Sequence, residues 1–236
     1  MDPLVRIQVV NPNTTVRMTD GIRRAAEFAA GGRFEIRCTN PPTGPASIET
    51  AADTIAASPL VVEEVRLGIA DDCVGHVIAC FDDPAVAACR EIASGPVLGI
   101  AEGSMMAASV LGARFGVVTT ARAGIPIIED MAFRYGFDRK LQSVRSCDME
   151  VLELDGSAQS NAKVLVTARE LVDDGAEVIV LGCAGMADLA DWLEGELGLP
   201  VVEGVRATVG IVAGLAAAGL HTSKRGVFAY PAQVRS

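Results

Sequence analysis

Two cysteines stand at matching places in the chain. The stretches His76-Val-Ile-Ala-Cys80-Phe-Asp-Asp83 and Val178-Ile-Val-Leu-Gly-Cys183-Ala-Gly-Met186 each read as a short apolar strand that stops at a thiol. Each then leads through an Ala-rich helical stretch to a second short strand, with 16 residues from Cys80 to Pro96 and 17 from Cys183 to Pro200. A thiol that ends a strand and precedes a helix meets free N–H groups and the positive end of a dipole, so both are expected to have a lowered pKa. A lone cysteine nucleophile needs a base such as histidine. His76 and His221 lie at the far end of the Cys80 strand and after the last helix, and both read as surface residues. Two facing thiols suit a different task. One base takes a proton from carbon, and one acid returns a proton on the opposite face of the planar intermediate. The resulting enolate would be held by backbone N–H groups after each cysteine and by the hydroxyls of Thr119 or Thr120.

The elements that must position these thiols can be read in order. Val5–Val10 is a first strand, and Asn11–Thr15 is a turn of helix-capping residues opening a helix to Ala30. Arg33–Thr39 is a second strand, and three prolines in 40–45 exclude regular structure there. Helical spacing resumes in two pieces, Glu49–Ile55 and Pro59–Asp71, before strand His76–Cys80. Asp83 and Pro84 supply an N-cap and a first-turn proline for a helix to Ile92. Strand Val97–Ile100 and helix Ser104–Leu111 follow. Phe115–Thr119, helix Ala123–Tyr135, strand Gln142–Cys147, helix Ser157–Asp174, strand Val178–Gly182, helix Ala187–Leu197, strand Val201–Val202 and helix Ala207–Ala218 repeat the pattern. Gly226–Tyr230 reads as a leftover strand crossing back onto the first half.

Alternation of this kind implies an α/β fold of two similar Rossmann-like lobes. Each would have a parallel four-stranded sheet, with pseudo-twofold symmetry and the active site between the lobes. The lobes are expected at 1–98 plus 207–236, carrying Cys80, and at 99–206, carrying Cys183. Ligands of such sheets bind at the carboxyl ends of strands. That places Asn11, Asn13, 41–44, Cys80 to Asp83, Thr119, Thr120, Cys183 to Met186 and 203–206 at the site.

Composition narrows the partners. Of the 236 residues 50% are hydrophobic and only 4% aromatic, which fits buried parallel strands. The formal charge of −10 argues against nucleic acid or an anionic membrane. Six cysteines without CxxC spacing or nearby histidines, and an opening Met1-Asp-Pro-Leu-Val-Arg6 lacking a basic export region, suggest reduced thiols in a cytoplasmic protein. Cys38, Cys73, Cys89 and Cys147 read as small buried hydrophobes. No turn has the GxGxxG or GxxxxGK[ST] spacing of a nucleotide site.

The strings Asn11-Pro-Asn-Thr-Thr15, Gly44-Pro-Ala-Ser-Ile-Glu49, Ile78-Ala-Cys-Phe-Asp-Asp-Pro84, Pro126-Ile-Ile-Glu129 and Leu181-Gly-Cys-Ala-Gly-Met186 resemble the hydantoin and allantoin racemases of the aspartate/glutamate racemase superfamily. The resemblance runs from Ile7 to Pro231. It implies that Cys80 and Cys183 are the paired acid and base, with no cofactor, no metal and a homo-oligomer. It also places Asn13 in the substrate site, beside its competing role as helix cap. Glutamate and aspartate racemases carry Cys-Asn-Thr and Cys-Thr-His at the two thiols, where this chain has Cys80-Phe81-Asp82 and Cys183-Ala184-Gly185. The small Ala184 and Gly185 suit a planar cyclic ureide better than an amino acid. Phe81 can wall the ring or pack between lobes. Asp82 and Asp83 fit helix-start acids, although Asp82 also belongs to the expected site, and Met186 fits the core. Glu203 and Arg206 fit a surface pair. An amino-acid racemase, or a decarboxylase or maleate-type isomerase using one thiol, are the alternatives.

Overall fold

The computed structural model describes residues 5–154 and 156–232. The opening stretch read above for export features, at 1–4, and the ends of the expected first lobe, 1–4 and 233–236, lie outside the described residues. The first half builds β1 (Arg6–Val10), α1 (Val16–Ala30), β2 (Glu35–Thr39), α2 (Ala51–Ala70), β3 (Cys73–Ile78), α3 (Val86–Ile92), β4 (Val97–Gly99) and α4 (Ile100–Leu111). The second builds β5 (Phe115–Thr119), α5 (Gly124–Tyr135), β6 (Leu141–Ser146), α6 (Ala158–Asp173), β7 (Val178–Leu181), α7 (Ala190–Leu197), β8 (Val201–Val202) and α8 (Gly204–Ala217).

Among the described residues the strands form two four-stranded sheets, ordered β2-β1-β3-β4 and β6-β5-β7-β8. All ladders are parallel, and the second order is the first with every number raised by four. A single apolar cluster joins the sheets, with Ile7, Val9 and Val77 from one and Phe115, Val117 and Val180 from the other. Helices α4 and α8 supply Ile100, Met105, Val205 and Val209 to it. The interface between the halves is therefore a continuous core.

Several elements depart from their expected limits, and each has a local cause. The two pieces expected around Pro59 are one 20-residue helix, α2. Its lost N–H costs one bond, but Ala57, Val61, Val65 and Gly68 on both sides of the proline share a buried face that holds the turns in line. Strand β3 begins at Cys73 and ends two residues before Cys80, although the amide of Ala79 still donates to the carbonyl of Val10. The segment expected as a last strand is a 3₁₀ turn at Gly226–Phe228. Gly226 has φ of 72°, which breaks extension, and Thr222 and Lys224 bond the backbone of 90–95 while the Arg90 guanidinium sits over Phe228. The tail thus lies on the end of α3 instead of extending a sheet.

Helices α4 and α8 start earlier than their apolar spacing suggests because acids cap them. Asp83 does not cap α3, whose N-cap is Ala85 at φ of 59°. The Asp83 carboxylate instead accepts from the amides of Ala101 and Glu102, both at 3.0 Å, and from the Tyr135 hydroxyl at 2.9 Å. Gly99 makes this reach feasible, since a Cβ there would stand 2.0 Å from Asp83 Oδ1. Burial pushes the Asp83 carboxyl up to about 7 against the three hydrogen bonds that favour its ionised form. Glu203 caps α8 through the amides of Val205 at 2.8 Å and Arg206 at 2.7 Å. It is buried, and burial raises its pKa. The expected surface pair with Arg206 is replaced by a bond from the guanidinium to Asp191 and stacking on Phe28.

His76 is likewise no surface residue. It is fully buried, Nδ1 lies 2.8 Å from Gln8 Oε1, and burial lowers its pKa to about 4. The Asp83 junction gives a direct test. Substituting Asp83→Ala leaves three donors without their acceptor and should lower the unfolding free energy by about 2 kcal/mol in urea titration. An unchanged midpoint would show that the cap does not hold α4.

Candidate active site

The two cysteines leave their sheets at equivalent points. Val10 pairs with Ile78 in one sheet and Val118 with Leu181 in the other. One residue further, the Ala79 amide donates to the Val10 carbonyl and the Gly182 amide to the Val118 carbonyl, each at 2.8 Å. The next residue is Cys80 in the first case and Cys183 in the second. Position 182 must be glycine for the chain to leave this way, because a Cβ would come within 2.6 Å of the Val118 carbonyl oxygen.

Both thiols line one cleft between the carboxyl ends of the sheets, and both are half-buried. Of the other residues expected at the site, Asn13, Phe81, Asp82, Thr119, Thr120 and Ala184 line the same cleft. Gly185 does not. Its amide donates to Cys183 Sγ at 3.4 Å, and its other side faces a neighbouring cavity.

The electrostatics run opposite to expectation. Neither thiol is set up as a thiolate in the open cleft. Burial raises Cys80 well above the usual thiol range, and the Asp82 carboxylate adds to it, with the Asp82 amide acting the other way. Cys183 is pushed up to about 12, again mainly by burial, with Cys147, Glu49 and Asp82 contributing and the Gly185 amide opposing. Each sulfur opens on the cleft but is otherwise enclosed by protein, so desolvation outweighs the single N–H directed at it. The dipole argument fails at Cys80 for a second reason. A loop with left-handed residues Asp83 and Ala85 separates it from α3. Cys183 does precede a helical segment, the 3₁₀ turn Ala184–Leu189, which comes before α7.

Asn13 divides its two ends. Its Oδ1 accepts from the Thr15 amide and from Asn11 Nδ2, both at 2.9 Å, which fixes the turn before α1. Among the described residues its Nδ2 meets only Met18 Sδ at 3.5 Å, a weak acceptor, and so is left to donate into the cleft. Thr15, not Asn13, is the N-cap of α1, and its hydroxyl donates to Ala46 instead of capping the helix. Phe81 is 4% exposed and does both things expected of it, walling the cleft and packing into the shared core. Asp82 accepts from the Thr54 hydroxyl at 2.9 Å, which ties the Cys80 loop to α2. Burial raises its pKa. Met186 is core, as expected.

Glu49 is a lining residue that spacing did not reveal. Its carboxylate accepts from Ser47 Oγ at 2.7 Å and follows the Pro-rich 40–45 segment into the cleft. It lies in the Gly44–Glu49 string, which was the one available signal. Ile127 and Ile128 of α5 and Val151 complete the apolar wall. Among the described residues no group of three or more His, Cys, Asp or Glu is placed to hold a metal ion. No helix among them is long and apolar enough to cross a membrane.

A pair of parallel sheets with a thiol at the same point of each, opening on a common cleft, agrees with what the sequence as a whole matches. The chain belongs to the Asp/Glu/Hydantoin racemase family, whose pattern covers residues 7–212. It is 41% identical to the hydantoin racemase of Rhizobium meliloti over 229 residues, 96% of this chain and 95% of the relative. Among solved structures it is similar to the allantoin racemase from Klebsiella pneumoniae, with TM-score 0.94 and 43% identity over 97% of this chain and 94% of that one. The allantoin racemase from Pseudomonas fluorescens superposes with TM-score 0.91 at 34% identity, covering 97% of each chain.

The raised thiols make a prediction independent of any substrate. Alkylation of Cys80 and Cys183 by iodoacetamide, followed by mass spectrometry, should run at least about tenfold slower than for free cysteine at neutral pH. It should still be accelerating above the ordinary thiol pKa of about 8.5. Rapid labelling of either residue at neutral pH would mean that its thiolate is stabilised after all.

Proposed function

We propose that the protein is a racemase that interconverts the two mirror forms of 5-substituted hydantoins, or of allantoin, by proton transfer between Cys80 and Cys183 without a cofactor. The observation that carries this reading is the placement of two thiols, at equivalent strand ends of two like sheets, on one cleft. The curated hydantoin racemases and the allantoin racemase structures at 34–43% identity support the substrate class.

In this scheme one sulfur enters turnover as thiolate and the other as thiol. The thiolate takes the proton from C5 of the ring, and the electrons of the broken C–H bond move into the neighbouring carbonyl as an enolate. The thiol then gives its proton to C5 from the other side, the carbonyl re-forms, and the two sulfurs have exchanged states. The next turnover runs on the opposite enantiomer with no reset. The burial that makes a thiolate scarce at rest also makes it a stronger base once formed. A substrate that fills the cleft also excludes water from around the pair. The Gly185 amide at 3.4 Å from Cys183, and the Asp82 amide at Cys80, steady whichever sulfur carries the charge. Asn13 Nδ2 and the hydroxyls of Thr119 and Thr120 are the groups in the cleft suited to the developing enolate oxygen.

Cys80→Ser and Cys183→Ser should each reduce racemisation, followed by loss of optical rotation, by at least about a thousandfold. Each should retain deuterium exchange at C5 of one enantiomer only. Racemisation near the wild-type rate in both single variants would overturn the scheme. A second outcome follows from the raised thiols. Opening the reaction requires one sulfur to lose its proton, so kcat/KM should rise with pH through neutrality and continue upward past the ordinary thiol pKa of about 8.5. A plateau reached well below that value would mean that another group supplies the base.

A further inference from the structure

Glu49 reaches the cleft from a segment fastened at both ends. Before it, the Thr14 amide donates to the Pro45 carbonyl at 3.0 Å and the Thr15 hydroxyl to the Ala46 carbonyl at 2.6 Å, which ties the segment to the turn carrying Asn13. After it, Thr50 and Asp53 close a capping box at the start of α2, and the Glu49 amide donates to Asp53 Oδ2 at 3.3 Å. Ser47 Oγ donates to Glu49 Oε1 and so holds the carboxylate from one side. Among the described residues the second oxygen, Oε2, has no hydrogen-bond partner and is not one of the enclosed unpaired atoms. The side chain is half-buried, and its charge acts on Cys183. The Asp82 carboxylate, in contrast, is already engaged by Thr54.

A carboxylate oxygen only accepts, and its bonds from N–H donors are among the stronger ones. A hydantoin ring brings two N–H groups beside its two carbonyls, and Asn13 Nδ2 and the threonine hydroxyls are the groups suited to the carbonyls. Among the described residues no Lys, Arg or His lines the cleft. A ligand with a carboxylate of its own therefore enters without a counter-charge and faces Glu49 and Asp82. We propose that Glu49 selects the closed ring: Oε2 accepts a ring N–H of the hydantoin, and the same charge turns away the open-chain carbamoyl acid. That acid is the ring plus one water, added across a ring amide to leave a carboxylate and a free ureido end. One side chain thus favours the neutral donor and disfavours the anion, which gives more discrimination than attraction alone. The inference rests on the racemase reading above and adds to it a residue that sets substrate preference.

The test uses 5-methylhydantoin and N-carbamoylalanine, which differ only by that hydrolysis. C5 proton exchange into D₂O, followed by proton NMR, gives kcat/KM for the first and an inhibition constant for the second. In Glu49→Ala the hydantoin should lose at least about tenfold in kcat/KM, the effect of one hydrogen bond to a charged group. In Glu49→Gln the Ser47 hydroxyl can pair with either end of the amide, so an oxygen can still meet the ring and the loss should be no more than about fivefold. N-carbamoylalanine should inhibit that variant at least about tenfold more tightly than wild type, because the repelling charge is gone. A loosened segment would weaken both ligands together, so a gain for the acid without a gain for the hydantoin separates selection from damage to the fold. An inhibition constant unmoved or raised in Glu49→Gln, or a hydantoin rate in Glu49→Ala within about twofold of wild type, would overturn the assignment of Glu49. If the wild-type protein exchanged no 5-methylhydantoin, the racemase reading itself would fail, a result distinct from a change in preference between the two ligands.

Discussion

Two backbone hydrogen bonds determine everything at the centre of this protein, those from Ala79 to Val10 and from Gly182 to Val118. Each is the last bond of its ladder, and each fixes the direction in which the chain departs toward the cleft. A slip of one residue in either strand would turn its thiol toward the opposite face of the sheet. The registers are held because β1 and β5 are buried along nearly their whole length, with Ile7, Val9, Phe115 and Val117 locked into a core shared by both sheets. Packing between the halves, not a linker, therefore sets where one sulfur lies relative to the other.

The loops after the cysteines are built differently, although the strands before them match. The Cys80 loop is rigidified by carboxylates, with Asp82 tied to Thr54 and Asp83 to the start of α4 and to Tyr135. Two residues of this loop, Asp83 and Ala85, hold positive φ angles. Such conformations persist only where the surroundings over-determine them. Here the surroundings are the helix terminus and the tyrosine, so the strain serves to aim the loop. The Cys183 loop has no acid next to its thiol, and its Asp188, near the far end of the turn, pairs with Arg24 of α1. It tightens at once into a 3₁₀ turn, with Gly185 donating back to the sulfur. One thiol is thus placed among negative charges and the other against a short helical segment.

Much of this was legible in the sequence. Apolar runs broken by Gly, Pro and capping residues gave the order of strands and helices, and the recurrence of the strand–Cys pattern gave the two sheets. What could not be read were features that depend on partners distant in sequence. Asp83 looks like the start of α3 but caps α4, because the cap is decided by where β4 ends and not by adjacency. For the same reason α4 and α8 begin before their apolar spacing does. His76 reads as exposed because its polarity is visible, whereas its partner Gln8 lies two strands away in the chain and becomes apparent only in the sheet. The thiol pKa values erred in sign because a strand-to-helix junction shows its dipole in the sequence but not its enclosure. Of the residues read as a site, Asn13, Phe81, Asp82, Thr119, Thr120 and Ala184 line the cleft and Gly185 lies behind it, while Glu49 went unread.

The dissimilar settings of the two sulfurs have a thermodynamic limit under the proposed reaction. Mirror-image substrates have equal free energy in solution, so the equilibrium constant is one, and the specificity constants of the forward and reverse directions must be identical whatever surrounds each sulfur. Acidic side chains beside Cys80 and a peptide dipole beside Cys183 therefore cannot favour one hand over the other in dilute substrate. They can only raise or lower the saturated rate and the half-saturating concentration of each hand in the same proportion, so the lopsided centre would reveal itself solely when the protein is crowded with ligand.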